Sequence, residues 1–249
     1  ITSCRASDVR IAEPIEKLIN DCTTISIERA ALRLIGVEGA LEQTSGQFFP
    51  EVNIIVDGLK KADVLQRGAL YWFVNGMIQK KMAASELAAA VARNKVDLPK
   101  LREGPFSEIS SKADEVCKEA VKKLLEARQH RDSIRKETRD TFDPKGCGGP
   151  LIYVIVATGN IYDDVTQARA AAQAGADAIA VIRSTAQSLL DYIPHGATTQ
   201  GFGGTYATQE NFRIMRKALD EESARLNRYI RLTNYCSGLC MPEIAALGA

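Results

Sequence analysis

The sequence predicts an α/β protein in two parts. A helical region covers residues 1–145, and parallel β/α units cover residues 150–249. Three observations predict this. Apolar residues up to about position 137 recur at helical spacing. Residues 138–150, which contain RDTFDPKGCGGP, crowd Pro and Gly into a stretch that cannot continue a helix. After Pro150, apolar β-branched runs alternate with helical patterns, the grammar of a parallel sheet.

In chain order, Asp8 caps a first helix over 11–21, and Ser26 caps a second, IERAALRLIG, which stops at Gly36. ADVLQRGALYWFVNGMIQKKM, residues 62–82, carries Val64, Leu65, Leu70, Tyr71, Phe73, Val74, Met77 and Ile78 as one broad helical stripe. Ser85 opens a short helix. Ser111 and Asp114 read as a capping box for a long charged helix reaching about 137, whose Lys, Glu and Arg face is a solvated one. LIYVIVATG, residues 151–159, reads as a strand buried on both faces. TQARAAAQAGAD is an Ala-rich helix ending at Gly175, and DAIAVIR is a second buried strand. QENFRIMRKALDEESARLNR is the next helix, and YIRLTNYCSG the third strand.

Right-handed crossovers put the C-terminal ends of all three strands on one edge. Those ends carry Gly159-Asn160, Arg183-Ser184 and the run from Asn234 to Gly238. A closed (β/α) barrel of the TIM type needs eight strands. Three strands, followed by EIAALGA at the start of another helix, make either a small open sheet or an incomplete barrel. The expectation is the incomplete barrel. The absence of a starting Met agrees with a chain that begins inside a longer product.

Composition narrows the function classes. The 249 residues carry a net charge of +1, so no electrostatic footprint for nucleic acid or an anionic membrane exists. No run of 18 apolar residues occurs, and ITSCRASDVR lacks the apolar core of a secretory signal. Six cysteines scattered through a chain of this size read as free thiols, which places the protein in the cytoplasm.

Ligands of parallel α/β folds bind at the C-terminal ends of the strands. Arg183 ends the second strand there, followed by Ser184, Thr185 and Ser188. An Arg beside hydroxyls at a helix mouth makes an anion clamp suited to phosphate, or else a helix cap with a surface Arg. IPHGATTQGFGGTYATQ, residues 193–209, is a long glycine-rich loop that fits neither the P-loop nor the dinucleotide fingerprint. Its length suits a lid or a cofactor-facing loop, and Thr208 can cap the helix that follows. His195 is in that loop and reads first as a hydrogen-bonded surface group; His130 sits in the charged helix. Cys236 and Cys240 lack the further ligands that zinc or an iron–sulfur cluster requires, so no metal site is expected.

The run PLIYVIVATGNIYDDVTQARAAAQAGADAIAVIRSTAQSLLDYIPHGATTQGFGGTYATQENFRIMRKAL, with YIRLTNYCSGLCMPEIAALGA after it, resembles the α subunits of the lysine 5,6-aminomutases over about a hundred residues. TTISIERAALRLIGVEG resembles the helical N-terminal region of that family, and residues 37–145 share its helical layout. The resemblance implies a (β/α)₈ barrel with an N-terminal helical extension. It implies a radical isomerase of lysine degradation that uses pyridoxal phosphate and adenosylcobalamin and moves the terminal amino group of D-lysine or L-β-lysine to the adjacent carbon. It also implies a β subunit that carries the cobalamin-binding domain and the lysine that holds pyridoxal phosphate. That division fits a chain with no DxHxxG motif and no lysine at a strand end.

By the family pattern, Arg183 and Ser188 contact pyridoxal phosphate and Ser237 lies on the side of its pyridine ring. Gln187, Asn234 and the 196–205 loop are its neighbours. The family's chain continues past Ala249 with groups that stack on the cofactor and fix the substrate, so these 249 residues are expected to be inactive alone and to hold no complete catalytic set. An ornithine 4,5-aminomutase-like enzyme and a truncated non-catalytic paralogue acting as a scaffold stay open beside this reading.

Overall fold

A computed structural model describes residues 24–44, 46, 48–140, 150–182, 192–201, 203–235 and 240–248. The helix expected over 11–21 lies outside them.

Helix α1 (Ile25–Leu34) starts one residue before the predicted cap. Thr24, not Ser26, accepts the first-turn amide, from Ile27 at 3.2 Å. Ser26 lies inside the helix and is buried. A short antiparallel hairpin follows, β1 (Ala40–Glu42) on β2 (Phe48–Pro50), and leads into α2 (Glu51–Lys61). The stripe over 62–82 is not one helix. A 3₁₀ turn at Leu65–Arg67 ends in Gly68 at φ 86°, and α3 (Ala69–Lys80) begins after it. Only glycine takes that backbone conformation at no steric cost. The Glu28 carboxylate then accepts the Ala69 amide at 2.6 Å, so a side chain of α1 caps α3 from 41 residues away.

Helix α4 (Ala84–Ala92) begins before Ser85, its first turn closed by the Ala83 amide donating to Glu86 at 3.0 Å. Helix α5 (Phe106–Glu137) starts five residues ahead of the predicted capping box, because Pro105 supplies the extended residue that precedes a first turn. Leu32, Val56, Leu59, Phe73, Leu87 and Ile109 are fully buried in the core these helices share. Ile109 is the one fully buried residue of α5. The rest of this 32-residue helix, about 48 Å long at 1.5 Å per residue, presents its charged face as predicted.

The second half builds the predicted parallel sheet. Strands β4 (Tyr153–Ile155), β5 (Ala178–Ile182) and β7 (Arg231–Asn234) pair in that order, all parallel. A separate two-residue parallel pair joins β3 (Arg139–Asp140) to β6 (Arg228–Tyr229). Helices α6 (Ile161–Gln173) and α7 (Gln209–Leu226) are the crossovers. Their apolar stripes meet Val156, Ile179, Val181 and Ile230 in a second core that also takes Met215, Leu219 and, from α8 (Met241–Gly248), Ile244. Three strands leave the sheet open, as the fold-class reading expected.

One expectation fails. The run 151–159 is not buried on both faces: Tyr153 and Ile155 are each 47% exposed, while Val154 and Val156 face the helices. Strand β4 is an edge strand, whereas on the same face of the central strand Ala178 and Ala180 are buried.

The two cores are tied by charge. Glu243 of α8, fully buried, accepts from Arg29 at 2.8 Å and Arg33 at 2.9 Å of α1. Glu38, after α1, accepts from Gln209 and Arg213 of α7 at 3.0 and 3.2 Å.

Candidate active-site edge of the sheet

The C-terminal ends of β4, β5 and β7 do lie on one edge. Ile182 pairs with Asn234 across an irregularity in the ladder, and Arg183 is the next residue in the chain after Ile182. Asn234 is therefore at the strand-end position predicted for it. Arg183, Gln187, Ser188 and Ser237 fall outside the described residues, as does Cys236.

The end of β4 is a tight turn, Thr158-Gly159-Asn160. Gly159 has φ 100°, and an added Cβ there would meet the Gly201 backbone at 3.0 Å. Asn160 caps α6, its side chain accepting the Tyr162 amide at 3.0 Å. Asp164, one turn on, is completely buried and accepts the Thr158 amide at 2.7 Å and the Thr158 hydroxyl at 2.8 Å. It also accepts the hydroxyl of Thr205, from the glycine-rich loop.

That loop is anchored along its length. The Gly201 amide donates to the Gly159 carbonyl at 2.9 Å, and the Ile161 amide donates to the Thr198 carbonyl at 3.0 Å. Asn211 of α7 donates to the Thr198 hydroxyl at 2.7 Å and to the Tyr206 carbonyl at 2.9 Å. Thr208 caps α7 as predicted, accepting the Asn211 amide at 3.1 Å. Asp164, Thr205 and Asn211 went unnoticed in the sequence. The one available signal was local: a first-turn Asp following the Thr-Gly-Asn strand end.

His195 does not face the strand ends. Its ring packs 5.9 Å from that of Phe48 in the N-terminal hairpin. It borders a cleft of about 360 Å³ shared with Arg33, Glu38, Gln209, Glu210 and Arg213. Partial burial, with the Arg33 guanidinium second, pushes its imidazole below the ordinary value, and Glu210 opposes this. Cys240 is buried in the second core. No group of three metal-ligating side chains exists among the described residues, and none of their helices is long and apolar enough to cross a membrane.

A family model described as the D-lysine 5,6-aminomutase TIM-barrel domain of the alpha subunit matches residues 1–249. The chain belongs to this family. It is 49% identical over all 249 residues to the lysine 5,6-aminomutase alpha subunit of Acetoanaerobium sticklandii, and 46% identical to that of Fusobacterium nucleatum. It spans 46% of the length of each, about half. A third relative, the D-ornithine 4,5-aminomutase subunit beta of A. sticklandii, is 41% identical over 100 residues, 40% of this chain and 13% of that protein.

Among the described residues the three-stranded sheet is open and not closed into a barrel. Position 183 follows directly on the Ile182–Asn234 pair in the chain. The described strand ends carry no lysine.

Proposed function

We propose that this chain is the part of a lysine 5,6-aminomutase α subunit that contributes one wall of the cofactor site. Residues 1–145 form its helical region and 150–249 the first part of its barrel. The carrying observation is the match over all 249 residues to two relatives of that name, joined to a parallel sheet whose strand ends meet at one edge.

In this reading Arg183 and Ser188 bind the phosphate of pyridoxal phosphate. Arg offers parallel N–H donors to phosphate oxygens, and such charge-assisted bonds are about twice as strong as neutral ones. Ser237 gives the pyridine nitrogen a neutral hydroxyl partner, which leaves the ring less electron-withdrawing than a carboxylate would. Gln187, which follows β5 in the chain, and Asn234 at the end of β7 are neighbours of the cofactor in this reading. The two cofactors, when bound, supply the carbonyl that carries the migrating nitrogen and the source of the radical. This chain orients the first and walls the site from water. A β subunit carries cobalamin and the lysine for pyridoxal phosphate, and the complex works in the cytoplasm. The ornithine enzyme is the weaker reading, since that relative aligns with 40% of the chain.

The test uses the complete α subunit with its β subunit, pyridoxal phosphate and adenosylcobalamin. D-lysine and L-β-lysine labelled with ¹³C are followed by NMR. Migration of the terminal amine to the neighbouring carbon supports the proposal. A loaded complex that turns over ornithine and leaves both lysines unchanged refutes it.

A further inference from the structure

The bonds around Asp164 do more than cap a helix. A carboxylate in the first turn of α6 already favours the helix dipole while exposed to water. Here it has been taken out of water completely, a costly placement unless every lone pair is used. One oxygen of Asp164 accepts twice from Thr158, at the end of β4. The other accepts from Thr205, 41 residues away in the loop after β5. The Thr205 oxygen in turn accepts the Gly159 amide at 3.0 Å, so its hydroxyl is used as donor and acceptor at once. Thr205 is also completely buried.

The loop has no room to slide past this knot. A Cβ on Gly201 would fall 1.9 Å from the Gly204 carbonyl oxygen and 2.8 Å from the Gly159 Cα. At the far side, the Thr208 hydroxyl donates to the Gly196 carbonyl at 2.6 Å. We infer that Asp164 and Thr205 are positioning residues that fix the 196–205 loop as a permanent wall of the ligand mouth, and that this loop is not a lid. The inference rests on the functional reading above for the identity of the mouth, and on the geometry alone for the clamp.

The test is hydrogen exchange on the complete α–β complex, with pyridoxal phosphate affinity measured in parallel by absorbance titration. Thr205→Val keeps the shape and removes the hydroxyl, leaving the Gly159 amide and one Asp164 oxygen without a partner. Amides of residues 198–205 are expected to exchange on the order of tenfold faster, with those of α6 and α7 unchanged. Pyridoxal phosphate affinity is expected to fall about tenfold with the same loss of the hydrogen bond. Thr205→Ser is expected to restore both, which a general loss of stability would not predict. If Thr205→Val does not assemble, Asp164→Ala carries the same measurement, since it removes both carboxylate oxygens that accept from Thr158 and Thr205. Unchanged loop exchange in these variants overturns the clamp. Faster exchange with unchanged cofactor affinity overturns the assignment of the loop to the mouth. The exchange readout needs no cofactor. A wild-type complex that binds no pyridoxal phosphate refutes the functional reading, while the exchange ratio still decides the clamp.

Discussion

Glu243→Gln removes the charge between two buried arginines and keeps the side-chain shape. Glu243 has 0% side-chain exposure, and Arg29 and Arg33 have 2% and 8%. The substitution takes the Glu243 carboxylate away from both guanidinium groups in the interface between α1 and α8. Removing one partner of a buried ion pair costs about 3–5 kcal/mol, because the remaining charge stays desolvated. For a chain of this size each kcal/mol lowers Tm by about 2–4 °C, so the expected fall is about 6–20 °C. Urea denaturation followed by circular dichroism measures it. Arg67 and Glu103 supply the control, a pair with 56% and 42% side-chain exposure. Glu103→Gln is expected to cost under about 1 kcal/mol, since water solvates whichever partner remains. A combined Arg29→Met, Arg33→Met, Glu243→Leu variant is expected to recover most of the loss, because apolar replacements of buried ion pairs are often neutral or stabilising. A Glu243→Gln cost as small as the surface control, with α1 still docked, refutes the reasoning.

The remaining predictions concern pH and steric fit. Burial and the Arg33 cation hold the His195 pKa below its ordinary 6.5, so the unfolded chain binds the proton more readily and stability falls as pH drops through 6.5. His195→Gln is expected to flatten that part of the stability–pH curve, and NMR titration of the imidazole should give a midpoint below 6.5. Glu51 has the opposite sign. Burial raises its carboxyl above 4.5 against the pull of Arg93, so stability falls as pH rises from 4.5 through the folded value. Glu51→Gln is expected to stabilise the protein at pH 7 relative to pH 4 in paired urea titrations. Gly201→Ala places a Cβ on the Gly204 carbonyl and is expected to cost about 1–3 kcal/mol, measured as a shift of the urea midpoint.

The parts of the fold set by local periodicity were legible. The order of three parallel strands and two crossover helices follows from the alternation after Pro150, and Thr208 announced its own cap. Helix starts were less legible, because the deciding partner was sometimes distant or the breaker was masked by pattern. Apolar Val64 and Leu65 continued the stripe of α3 through Gly68, whose backbone ends the run. Glu28 caps a helix 41 residues ahead, which no window of sequence displays. The exposed face of β4 was misread for a different reason. An apolar run states which surfaces want burial, not whether this chain supplies the cover. At the site, Asn234 was legible as a strand end. Asp164 and Thr205 were not, because their role exists only once two loops meet. His195, a loop histidine in the sequence, turned out to be held against Phe48.

The central claim is that Arg183 anchors the cofactor phosphate from this chain. Its most direct test is absorbance titration of pyridoxal phosphate into the complete α–β complex, wild type against Arg183→Met, with pyridoxal, which lacks the phosphate, as the second ligand. The account predicts that Arg183→Met weakens pyridoxal phosphate binding by about ten- to a hundredfold, the worth of a charge-assisted bond, and leaves pyridoxal binding unchanged. Equal affinities of wild type and variant for pyridoxal phosphate, in a complex that folds and assembles, would contradict it.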